Sequence, residues 1–119
     1  GELPYLFPFP GIRRGSRVIV YGMGTYGQRL YAYLRRSGFC EVVAAADRGY
    51  EELSRQGLPV IAPAQIASCA FDAIAVAASF AGTREAIYRE LSQAYGREKV
   101  HVMEEELVKS KEIREAFGL

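Results

Sequence analysis

Arg17-Val18-Ile19-Val20-Tyr21-Gly22-Met23-Gly24-Thr25-Tyr26-Gly27 is the stretch on which the fold turns. Its first five residues, RVIVY, are β-branched or aromatic apart from the leading arginine, and glycines follow at once. Such side chains fit a pleated, half-buried surface, so Arg17 to Tyr21 is predicted as a strand. The periodicity then changes. Between Thr25 and Ser37, Tyr26, Leu30, Tyr33 and Leu34 stand at i, i+4, i+7 and i+8, one stripe of a helix. Gly38 follows, where a left-handed cap ends a helix at no steric cost.

The same alternation continues outward. Glu41 to Asp47 (EVVAAAD) is nearly all apolar, as a parallel strand covered on both faces must be. Tyr50 to Gln56 is predicted as a helical turn and Pro59 to Ile61 as a short strand. Pro63 to Ser68 reads as a short helix with proline near its start. Phe71 to Ala77 (FDAIAVA) is the next strand, and Thr83 to Tyr95 a helix with Ile87, Leu91, Ala94 and Tyr95 on one face. Lys99 to Met103 is predicted as the last strand. Glu104 to Phe117 is predicted as one closing helix, its acids at the positive end of the dipole. Strands alternating with helices imply a five-stranded, open parallel α/β sheet, expected in the order 3-2-1-4-5 with helices on both faces. Residues 16–119 form one domain in this reading. Residues 1–15, with Pro4, Pro8 and Pro10, are predicted to be irregular, Tyr5, Leu6, Phe7 and Phe9 docking on the domain or on a neighbour.

The turn itself is a G-x-G-x-x-G between a strand and a helix. Gly22 permits the tight exit from the strand, Gly24 lets a phosphate approach bare backbone, and Gly27 allows close helix–sheet packing. The N–H groups at the start of the helix, at Thr25 and Tyr26, would meet the phosphate. Asp47 ends the second strand twenty residues after Gly27, the spacing of an acid that binds a ribose 2′-hydroxyl. Its charge would favour NAD over NADP, while Arg48 beside it offers a partner for a 2′-phosphate or a surface for adenine. The bland alternatives stay open: a turn with no ligand, and an Asp47 that caps the turn after it. After the fourth strand, Ser79 and Gly82 leave room and Phe80 is placed to cover a base, or Thr83 simply caps the next helix. Tyr26 and Tyr33 are expected in the core.

The words VIVYGMGTYGQRLYAYLRRSG, CEVVAAADRGYEELSRQGLPV and FDAIAVAAS, within residues 18–79, resemble nucleotide-binding Rossmann domains of bacterial polysaccharide and nucleotide-sugar enzymes. Similar modules form the N-terminal domains of sugar acyltransferases, occur in nucleotide-sugar dehydratases and are appended to glycosyltransferases. The resemblance implies a diphosphate of NAD(P) or of a nucleotide sugar on Gly22, Gly24 and Gly27, with Asp47 beside it. Dehydratases and epimerases of this kind also carry a Tyr-x-x-x-Lys dyad. That spacing occurs once here, at Tyr95 and Lys99, but Gly96 interrupts it and the pair is not expected to meet.

Bulk properties narrow the rest. Fifteen Lys and Arg against fourteen Asp and Glu give a formal charge of +1, not the basic surplus of a nucleic-acid or anionic-membrane binder. No apolar run reaches the length of a membrane helix and no signal peptide is read, so a cytoplasmic location is expected. Cys40, Cys69 and the single His101 lack the spacing of a metal site; the thiols are expected to be reduced and packed in or near the core. Gly1 stands where an initiator methionine would, and the natural chain is expected to be longer. The function implied is a nucleotide-binding module, for NAD(H) or a nucleotide sugar, with no catalytic residues of its own. A neighbouring domain and a homo-oligomer are the protein partners considered. The alternatives are a fragment of an NAD-dependent oxidoreductase or nucleotide-sugar dehydratase, and a non-binding interaction module.

Overall fold

The computed structural model describes residues 5–6, 8–103, 106 and 109–117. Five strands form one parallel sheet: β3 (Arg17–Tyr21), β4 (Glu41–Ala46), β5 (Val60–Ile61), β6 (Ala73–Val76) and β7 (Val100–Val102). Across the sheet they stand in the order β5-β4-β3-β6-β7. The chain therefore builds outward from β3 in one direction, then returns to its other side for β6 and β7. Between the strands lie α1 (Thr25–Ser37), α2 (Tyr50–Arg55), a 3-10 helix (Pro63–Ser68) and α3 (Ala81–Tyr95).

Strand alternation sends side chains to two separate cores. Val18, Val20, Ala73 and Ala75 pack with Leu30 and Leu34 of α1. Ile19, Tyr21, Ile74 and Val76 pack with Leu91 of α3 and Ile66 of the 3-10 helix. A fully buried aliphatic side chain contributes about 1.5–3 kcal/mol, so β3 and β6, apolar toward both faces, are the best-stabilised strands. At their starts Asp72 fixes their relative position. Its Oδ2 accepts the Arg17 backbone N–H at 2.8 Å, and its Oδ1 pairs with the guanidinium at 3.0 Å. These bonds from Arg17 hold the Asp72 carboxyl down at about 2.

Three sequence expectations are corrected. The N-terminal segment is not irregular: β1 (Tyr5–Leu6) and β2 (Phe9–Arg13) pair antiparallel. Pro10 is tolerated because it is exposed in a two-stranded ribbon, where a missing N–H breaks no central ladder. Leu6, Phe9 and Ile12 are almost wholly buried in the core beneath α1, so the ribbon docks on its own domain. The predicted closing helix is interrupted: Glu106 is helical, Lys109 and Ser110 are not, and a short helix closes the described chain. It is α4 (Lys111–Ala116), started by the Ser110 hydroxyl, which accepts the Ile113 N–H at 3.2 Å. A serine cap competes with helix continuation, and sequence periodicity does not register that competition. Of the acids predicted at that helix's start, Glu104 and Glu105 lie outside the described residues. The last strand is Val100–Val102, with Arg97–Lys99 in a 3-10 turn before it.

Phe117, just past α4, joins this end of the chain to α1. Its ring lies 5.9 Å from that of Tyr26, edge-on, and 5.8 Å from that of Tyr33. Both tyrosines are accordingly half-buried at the core's edge rather than inside it. Ala94, predicted on the apolar face of α3, is exposed. Among the described residues no helix is long and apolar enough to cross a membrane.

Candidate functional site

A cleft of about 770 Å³ opens at the carboxyl ends of β3, β4 and β6, between the start of α1 and the start of α3. Small-ligand sites typically span about 300–1,000 Å³. The cleft lies where the chain's path across the sheet reverses, which is where open α/β sheets leave a crevice.

The glycine turn forms its floor. Gly22 has φ +97°, a conformation that a side chain would strain, and its N–H donates to the Ala46 carbonyl at 2.8 Å. A Cβ on Gly27 would lie 1.6 Å from the Gly22 carbonyl oxygen, so α1 begins in direct contact with the turn it leaves. Gly24 is the opposite case. It is exposed, a Cβ there would meet nothing within 4 Å, and as N-cap of α1 it supplies no side chain to the helix's free N–H groups. Gly24, Thr25 and Tyr26 all line the cleft, leaving bare backbone at the positive end of a 13-residue helix. Met23 between the glycines is buried and locked. Its N–H donates to Asp47 Oδ2 at 2.7 Å, and its carbonyl accepts from Gln28 Nε2 at 2.9 Å.

Asp47 thus does more than either sequence alternative foresaw. One oxygen holds the glycine turn; the other accepts the Gly49 N–H at 2.7 Å and caps the turn into α2. Each carboxylate oxygen retains a lone pair, so a ribose hydroxyl can still donate to it. Arg48 reaches across the cleft's end to pair with Glu90 on α3, and the Tyr21 phenol is near enough to interact with it electrostatically. These partners hold the guanidinium above its ordinary pKa, Glu90 foremost. The Tyr21 phenol is raised by burial, against the pull of Arg48.

On the far wall α3 begins at Ala81 with Phe80 as its N-cap, so Thr83 lies inside the helix and is not its cap. Phe80 is 79% exposed, the one exposed large hydrophobic residue among those described. Arg84, one turn into the helix, is buried and donates to the Ser79 carbonyl at 3.0 Å and the Ala78 carbonyl at 3.4 Å. It anchors the loop that carries Phe80. Small residues at Ala78, Ser79 and Gly82 leave the cleft open beneath that ring.

Of the eight residues singled out from sequence, Gly22, Gly24, Thr25, Tyr26, Asp47, Arg48 and Ser79 line this one cleft, and Gly27 lies beneath it. Sequence reasoning missed Tyr21, Arg84 and Glu90. Glu90 had a signal: it continues the helical stripe Thr83, Ala86, Ile87 whose first three members line the cleft. Tyr95 and Lys99 lie at the opposite end of the sheet, both against Phe71. The Tyr95 ring is 5.6 Å from it edge-on, and Lys99 Nζ is 5.1 Å from its centroid. His101 is half-buried in β7, where Gly11 of the N-terminal ribbon packs so closely that a Cβ would come within 2.6 Å of the imidazole. Burial lowers its pKa. Cys40 and Cys69 are free thiols, and burial pushes that of Cys40 up to about 11.

No family model matches this chain, and neither curated proteins nor solved structures yield a match.

Proposed function

We propose that this chain is a Rossmann-type nucleotide-binding domain that holds the pyrophosphate of NAD(H) or of a nucleotide sugar at the Gly22–Gly27 turn, without turnover of its own. One observation carries the reading. Gly24 leaves the uncapped start of α1 bare at the floor of a cleft of about 770 Å³, while Gly27 and Asp47 hold the turn rigid from below and behind. Free N–H groups aligned with a helix dipole bind a phosphate without any lysine, and among the described residues the cleft walls carry only Arg48 as a cation. A rigid turn avoids the ordering cost that weakens binding by mobile loops.

The reading of no turnover rests on the groups in the walls. Asp47 has both oxygens on backbone N–H groups, and the Tyr21 phenol is raised by burial and engaged by Arg48. A phenol so raised is not a general acid or base near neutral pH, and Asp47 is engaged as a brace of the turn. The resemblance of residues 18–79 is what points to nucleotide-sugar or polysaccharide metabolism as the setting.

Calorimetry with NAD and UDP-glucose tests the binding site. Gly24→Val fills the open space at the helix start, so binding is expected to fall below detection while the far-ultraviolet circular dichroism is unchanged. Unaltered affinity in that variant would move the site elsewhere.

A further inference from the structure

The ion pair at the end of the cleft carries one inference, which rests on the nucleotide reading above. Thr83, Ala86, Ile87 and Glu90 stand at i, i+3, i+4 and i+7 of α3, a single stripe. The first three line the cleft; Glu90, the next step along the stripe, pairs with Arg48. Among the described residues Arg48 is the only cationic side chain in the lining and Asp47 the only anionic one. With Glu90 added, two negative charges stand against one positive at the end of β4. The guanidinium is occupied by Glu90, to which it donates across the end of the cleft.

We propose that Glu90 sets the ligand class at this end of the cleft: by holding Arg48, it makes the site accept an uncharged ribose diol and reject a ribose bearing a phosphomonoester. A free arginine in that place would do the reverse, because its planar fork matches a phosphate with two parallel hydrogen bonds. An arginine next to Asp47 is ambiguous in sequence, and Glu90 resolves the ambiguity from 42 residues away. Both partners are more than half exposed, so the pair adds little to fold stability. Its effect lies in where the guanidinium is kept. The ligands selected are pyrophosphates with free ribose hydroxyls, such as NAD or a nucleotide sugar, over those with a 2′-phosphate.

NAD and NADP differ only in that phosphate and form the probe pair. Calorimetry at low ionic strength compares the unmodified chain, Glu90→Gln, and Glu90→Gln combined with Arg48→Ala. The unmodified chain is expected to bind NAD about tenfold or more tightly than NADP, since like charges are turned away. Glu90→Gln is expected to raise NADP affinity about five- to tenfold and to change NAD affinity less than about twofold, as befits an exposed pair felt by a doubly charged phosphate. The double variant should lose that gain, which ties it to the released guanidinium and not to a missing negative charge. An unchanged NAD-to-NADP ratio in Glu90→Gln, or a gain that survives Arg48→Ala, overturns the proposal while NAD binding persists. If NAD, NADP and UDP-glucose all fail to bind every variant, the nucleotide reading fails and this proposal falls with it.

Discussion

Replacing Gly27 with alanine separates the two jobs of the glycine turn, because its effect on stability has a sign that depends on one contact. The added Cβ would lie 1.6 Å from the Gly22 carbonyl oxygen and 2.6 Å from its carbonyl carbon, both backbone atoms. Ordinary contact begins at 3.4 Å, so α1 and the turn must separate by about 1.8 Å. That movement pulls on the Gly22 N–H bond to Ala46 and the Met23 N–H bond to Asp47, each now below 3 Å. Overpacking costs about 1–3 kcal/mol and loss of one charge-assisted hydrogen bond about 1.5–3 kcal/mol. Against this, alanine is the better helix former by about 1 kcal/mol. The net expectation is a loss of roughly 2–4 kcal/mol. At about 3–6 °C per kcal/mol for a domain of this size, Tm should fall by roughly 6–24 °C. Gly24→Val, with open space around it, should cost only about 1 kcal/mol, for a weaker N-cap. Thermal melts of the two variants, followed by circular dichroism, give the comparison. A Gly27→Ala protein as stable as its parent, or more stable, would refute the close approach, since helix propensity alone would then decide the outcome.

Two further outcomes follow from the same fold. The chain contains no tryptophan, so Phe80→Trp introduces a single indole at the cleft mouth, at a site 79% exposed in the parent. Its emission should be quenched by NAD, and Phe80→Ala should weaken NAD binding by about 1 kcal/mol, the lower end for base–aromatic stacking; calorimetric binding without any change in emission would remove Phe80 from the site. For pH dependence, burial lowers the His101 pKa from 6.5 in the folded chain, so the unfolded chain binds the extra proton first. Stability is therefore full above about 6.5 and declines as pH falls below it, and His101→Phe should flatten that slope in urea melts between about pH 7.5 and 5.5. An identical slope in the variant would assign the loss to other groups.

The parallel α/β architecture was legible because its signals are local. RVIVY, EVVAAAD and FDAIAVA are short, β-branched-rich or alanine-rich runs apolar toward both faces, as strands sandwiched between layers are, and Tyr26, Leu30 and Leu34 repeat with helical period. The glycine spacing likewise identified the turn, since Gly22 and Gly27 answer steric demands made within six residues of chain. What escaped the sequence depends on partners far along it. The N-terminal ribbon forms because Leu6, Phe9 and Ile12 find a core built by α1, and Pro10, on its exposed side, does not prevent this. Ser110 breaks the predicted long helix by starting a new one, its hydroxyl accepting the Ile113 N–H, a competition between two local structures that composition cannot rank.

Within the cleft the division is sharper. Spacing alone selected Asp47, but only the folded chain brings its carboxylate to the Met23 N–H, 24 residues back, and makes one side chain both brace and candidate ligand contact. Spacing left Arg48 between two roles; in the folded chain α3 lays Glu90 across from it. Residue type determines what a group can do; which partner it meets is a matter of packing, because charges and hydrogen bonds act over a few ångströms of space and not over distance along the chain.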